Sequence, residues 1–84
     1  MQVVQKHRID LTNTYPIVAP SGALVLQVGI DEDGNPSVWM QVETENPAEQ
    51  YQLFAVGTGV PIPDNATRFL GTIVDPHFVY HIFI

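Results

Sequence analysis

Two apolar-rich runs, Ala23 to Ile30 and Ser37 to Glu43, flank the segment Asp31-Glu32-Asp33-Gly34-Asn35-Pro36. An Asp-Gly pair supplies the positive φ that a tight hairpin turn demands, so this stretch reads as two antiparallel strands joined by a short turn. The same punctuation recurs along the chain: β-branched and aromatic clusters are separated at short intervals by Gly, Pro, Asn and Asp, and no window sustains a helical period. The chain is therefore expected to be all-β.

Seven candidate strands follow: Val3 to Ile9, Tyr15 to Ala19, Ala23 to Ile30, Ser37 to Glu43, Tyr51 to Val56, Arg68 to Val74 and Phe78 to Phe83. A polar turn is expected at Asp10 to Asn13, and a polar connection at Thr44 to Glu49 with one helical turn around Pro47-Ala48-Glu49. Pro16 lacks a donor and suits an edge strand or a strand start. Alternation puts Leu24, Leu26, Val28 and Ile30 on one face of the third strand. The last strand is apolar on both faces, with Phe78, Tyr80, Ile82 and Ile84 opposed to Val79, His81 and Phe83. Such a strand belongs in the middle of a sheet or against another subunit, and its uncharged VYHIFI ending would aggregate if left as an open edge. Six to seven short strands around a small core predict an antiparallel sandwich or partly open barrel.

A chain of 84 residues is too short to divide, because each half would bury too little apolar surface to offset its ordering entropy; residues 1–84 are expected to form one domain. No cysteine is present, so neither a disulfide framework nor a thiolate metal site can support the core, and association with other copies is the remaining route to stability. The net charge of −6 repels nucleic-acid phosphates and anionic membranes. The opening MQVVQKHRID has no apolar signal-like core, and no window reaches the length of a membrane helix, so a cytoplasmic location is expected. Asn65-Ala66-Thr67 matches a glycosylation sequon and is read as a turn.

Several segments together carry a resemblance. They are Pro20-Ser21-Gly22-Ala23 leading into Leu24 to Val28, Trp39, Gly57-Thr58-Gly59 followed by Pro61 and Pro63, Phe69-Leu70-Gly71-Thr72, and the closing Val79-Tyr80-His81-Ile82-Phe83. In order and spacing the chain resembles a family of short uncharacterised phage and bacterial proteins with a Gly-Thr-Gly-x-Pro-x-Pro segment. It departs from that pattern at Val60, where His is common, at Tyr80, where Trp is common, and at Ile84, where an acidic residue often closes the chain. The resemblance implies a β fold and a phage-type accessory role, and no mechanism.

The residues themselves offer little chemistry. Gly57-Thr58-Gly59 could aim backbone N–H groups at an anion, but Val60-Pro61-Ile62-Pro63 forbids the helix a phosphate-binding P-loop requires. His77 and His81, four apart on a strand, would stand about 13 Å from each other and could not share a metal. His81 is read as a hydrogen-bonded core residue, or else as a polar group lining a pocket. No signature joins Thr58, Thr72 or Ser37 to a base, and the carboxylates fall mostly in turns, so no enzyme, metal or cofactor is expected. Lys6, Arg8 and Arg68 hold all the fixed positive charge. The two arginines either recognise an anion or pair with neighbouring acids. Trp39, Tyr51 and Phe69 either fill the core or stack on a ligand.

Two functional expectations result. The first is a small, oligomeric binding protein that sequesters a small anionic, nucleotide-like ligand as a counter-defence factor, using Arg8, Arg68, Gly57, Thr58, Gly59, Thr72, Trp39 and His81. The second is a protein-interaction module that blocks a host protein through an apolar strand or acidic surface, with a minor virion or assembly component as a further alternative.

Overall fold

The structure is a computed structural model that describes residues 1–11 and 14–84. Seven strands form among them: β1 (Gln2–Arg8), β2 (Tyr15–Pro20), β3 (Leu24–Ile30), β4 (Pro36–Glu43), β5 (Ala48–Gly57), β6 (Phe69–Asp75) and β7 (Phe78–Phe83). They pair antiparallel into a three-stranded sheet ordered β1-β4-β3 and a four-stranded sheet ordered β2-β5-β7-β6. The two sheets pack as a sandwich, which decides between the two architectures expected. The polar turn expected at Asp10 to Asn13 falls partly outside the described residues.

The core follows from alternation in β4. Val38, Met40 and Val42 are almost wholly buried between the sheets, and on the facing sheet Ile17, Ala19, Leu53, Ile73 and Ile82 close over them. Each of the Val, Leu, Ile and Met side chains among them contributes roughly 1.5–3 kcal/mol of transfer free energy. β7 lies between β5 and β6, paired on both sides, as its two apolar faces require.

In two places the chain departs from simple alternation. A register shift between Val25 and Gln27 turns Leu26 out of step, so the inward residues of β3 are Val25, Val28 and Ile30, opposite Met40, Val38 and Pro36, while Leu24 and Leu26 are exposed. The expected Leu24-Leu26-Val28-Ile30 face is thereby corrected: a bulge inserts one residue and flips everything before it. A second shift, between Phe69 and Gly71, lets β6 approach β3 of the other sheet closely at Gly71. The helical turn expected around Pro47-Ala48-Glu49 is absent. Ala48 and Glu49 already belong to β5, whose pairing with Pro20 and Ala19 satisfies their backbone in an extended form.

Side chains fix the turns. Tyr51 Oη donates to the Pro20 carbonyl at 3.1 Å and accepts the Ala23 N–H at 3.2 Å, pinning the β2–β3 turn to the sheet. In the β3–β4 hairpin the Asp31 carboxylate accepts the N–H groups of Asp33 and Asn35, both at 2.9 Å, together with Ser37 Oγ and Lys6 Nζ. These hydrogen bonds, with the Asn35 amide first, hold the Asp31 carboxyl down at about 2. Gly34, at φ +83, supplies the turn conformation the sequence required.

Candidate functional site

The outer face of the four-stranded sheet is less polar than an exposed face normally is. Register places Phe54 and Phe83, then Val56, His81 and Thr72, then Val79 and Val74, side by side on it. Phe54 and Val56 are nevertheless buried, at 3% and 5% exposure, and they stand apart from the central core. What covers them is the segment after β5. A turn closed by the Val60 N–H on the Gly57 carbonyl, with Gly59 at φ +85, sends Val60, Pro61 and Pro63 back across the sheet, where they line a pocket of about 300 Å³ with Phe54 and Val56. The segment is tied down at its far end, where Thr67 and Arg68 donate to the Ile84 carbonyl and Ile84 donates to that of Arg68.

This fold-back brings three polar side chains together. His81, half-buried on β7, has Thr72 Oγ1 of β6 at 3.0 Å from Nδ1 and Thr58 Oγ1 of the turn at 2.8 Å from Nε2. A neutral imidazole has one donor and one acceptor nitrogen, so one threonine hydroxyl accepts and the other donates, and the ring is satisfied in either tautomer. Around it Val56, Val60, Ile62, Phe69 and Phe83 line an open depression of about 250 Å³. The Phe69 and Phe83 rings lie tilted with centroids 5.4 Å apart. Five large apolar side chains on and around this face remain open to solvent: Val60, Ile62, Phe69 and Val74 are more than half exposed, and Val79 is 41% exposed.

Of the residues singled out in the sequence, Gly57, Thr58, Gly59, Thr72 and His81 thus assemble at one place, and His81 is a pocket-lining group rather than a member of the central core. Arg8 and Trp39 do not join them. Both are on the outer face of the other sheet, Arg8 opposite Ser37 and Trp39 opposite Lys6 and Gln27. Arg68 immediately precedes Phe69, beside the depression in the chain. Among the described residues neither arginine forms an ion pair, which corrects the expected pairing with neighbouring acids. Lys6 is the side-chain cation that finds carboxylates, Asp31 at 3.1 Å and Glu32 at 2.8 Å, and their hydrogen bonds raise its pKa. The amino group of Met1 pairs with Glu43 and Glu45.

The three histidines stand on separate elements. His7, on β1, contacts Gln5 Oε1 at 3.1 Å, and His77 lies in the β6–β7 turn. Asp31, Glu32 and Asp33 bring one oxygen each within 4.8 Å of one another, but the Asp31 carboxylate is already committed to the hairpin and to Lys6. Alternation in the last strand had already set His81 beside Val79 and Phe83. Sequence reasoning missed Val60, Ile62 and Phe83 as pocket walls, because only the folded-back segment gives them a common surface. No helix among the described residues is long and apolar enough to cross a membrane.

Fold and site together define a two-sheet β-sandwich carrying an apolar, threonine-bracketed histidine site on one outer face. The chain belongs to the family described as a domain of unknown function (DUF7352), whose model matches residues 1–84. No curated protein matches it. No solved structure matches it. An uncharacterised family is what the resemblance implied.

Proposed function

We propose that this protein is a phage-type accessory module that works by binding, and that its working surface is the outer face of the β2-β5-β7-β6 sheet. The partner is a protein that seats an apolar side chain in the depression beside His81. The observation that carries this reading is the contrast between that face and the rest of the chain. Segments 58–63, 69–74 and 79–83 contain no charged residue, in a protein with nine carboxylates and a net charge of −6. Exposed apolar side chains clustered on one uncharged face are the usual mark of a protein contact. His81 is held in place by its two threonines, and the Thr58 hydroxyl, which can make a further hydrogen bond, would meet a polar atom at the rim.

A second reading is capture of a small anionic, nucleotide-like ligand. It is favoured by the Phe69–Phe83 ring pair next to hydrogen-bonding Thr58 and His81, and by an arginine, Arg68, that has no ion-pair partner among the described residues. A cavity of about 250 Å³ is smaller than the roughly 300–1,000 Å³ typical of small-molecule sites, which places this reading second.

A photo-crosslinking amino acid in place of Phe69, with one in place of Val4 as the control on the other sheet, tests the proposal in cells that make the protein. A discrete adduct from position 69 alone is expected. No adduct, or equal adducts from both positions, refutes it. Thermal stabilisation by a nucleotide panel, about 2.7 kcal/mol at 100 times the dissociation constant, would favour the second reading instead. In that case Arg68→Ala should weaken binding about 10- to 150-fold.

A further inference from the structure

We infer that the partner covering this face is a second copy of the same chain; the inference rests on the docking reading above and names its partner.

Charge is the first argument. Two chains of net charge −6 repel each other over most orientations, and they can approach closely only where neither presents a carboxylate. The outer face of the β1-β4-β3 sheet does not qualify, because Glu43, and the Asp31 and Glu32 carboxylates held on Lys6, stand near its exposed Val4 and Leu24. The uncharged segments 58–63, 69–74 and 79–83 do.

Area is the second. Val60, Ile62, Phe69, Val74 and Val79, each about half exposed, present on the order of 400 Å² of apolar surface, within the range of the largest patch on a typical monomer. Two such faces packed on each other about a two-fold axis, with Thr58, Thr72, His81 and Phe83 at their margins, bury about 1,000–1,200 Å² in total. That is the low end for a specific contact and corresponds to a weak dimer that forms at micromolar concentration or above.

The third is the size of the domain. A cysteine-free chain of 84 residues has one small core between its sheets, and subunit contact is a common further source of stability at this size. In the dimer an apolar side chain of each copy seats in the His81 depression of the other, as the docking reading requires.

Sedimentation velocity of the full chain from about 1 μM to 1 mM, together with a dilution series of amide NMR spectra, tests this. The expected result is a species of twice 9.3 kDa that dissociates on dilution, with amide shifts confined to the three uncharged segments. Val74→Asp, at a 68%-exposed position, should weaken the dimer at least about tenfold and leave the melting curve of the monomer unchanged. Should Val74→Asp impair folding, Val60→Asp in the fold-back segment makes the same test. Val4→Asp should do nothing.

A single 9.3 kDa species throughout, or a dimer that Val74→Asp and Val60→Asp leave intact, overturns the inference. The two levels of the reading separate by adduct mass. A crosslink from position 69 to a chain of another mass removes the second copy and keeps the docking face, whereas no crosslink removes both.

Discussion

At Gly71 strand β6 lies close against Val28 of the other sheet, and replacing the glycine with alanine measures what that approach is worth. A Cβ built there would lie 2.6 Å from Val28 Cγ2, against the roughly 3.5–4.0 Å of an ordinary carbon–carbon contact. Val28 is 7% exposed and β-branched, so it cannot swing aside as the end of a flexible chain would. Overpacking of this kind costs about 1–3 kcal/mol. The backbone at φ +155 is also one that L side chains rarely adopt, which adds about 1–2 kcal/mol. The sum, about 2–5 kcal/mol, is a large share of the roughly 5–15 kcal/mol that holds a domain folded. Gly71→Ala should therefore lower the melting temperature by about 10–30 °C. Thermal and urea melts followed by the fluorescence of Trp39, the one tryptophan in the chain, read this directly. Adding Val28→Ala should restore part of the loss, with a coupling of about 1–2 kcal/mol in the double-mutant cycle. A Gly71→Ala protein melting within about 3 °C of the parent, or a double variant that is the plain sum of its singles, would refute the close-packing account.

Asp31 gives an acid-dependent prediction. Its folded pKa, about 2, lies below the ordinary 3.8, so its contribution to stability is present above 3.8 and is lost as pH falls through about 2. Asp31→Asn should flatten the fall in melting temperature across that window, and an acid limb unchanged from the parent would count against the carboxylate's role in the hairpin. Deleting Val79 to Ile84 should abolish folding rather than only function, because it removes the strand that joins β5 to β6 together with the Ile84 contacts that anchor Thr67 and Arg68. Well-dispersed amide NMR signals from the truncated chain would contradict that.

Much of the fold was legible because it is local. The Asp31–Gly34 turn, the strand positions and the two-faced last strand each depend on residues near one another in sequence, where period-two alternation and turn chemistry act directly. The errors share a single cause. Alternation alone puts Leu24 and Leu26 on one face with Val28 and Ile30, but it does not carry through a bulge, and a bulge exists only when a partner strand sets the register against it. The Pro47-Ala48-Glu49 segment reads as a polar connection until its backbone finds β2, whose two prolines gave a weak signal of a pairing strand.

The site divides in the same way. The sequence by itself determined that the chain is all-β, that its last strand is apolar on both faces, and that His81 shares one of those faces with Val79 and Phe83. It also leaves segments 58–63, 69–74 and 79–83 without a charged residue. Only the tertiary structure decided that the chain after β5 folds back over Phe54 and Val56, that Thr58 and Thr72 meet opposite nitrogens of one imidazole, and that Arg8 and Trp39 lie on the far sheet. Thr58 and His81 are 23 residues apart, and their contact depends on the β5–β7 register and on the Ile84 anchor of the returning segment. A local pattern records which face a side chain takes, but contacts across strands are fixed by the free energy of the whole packed sheet.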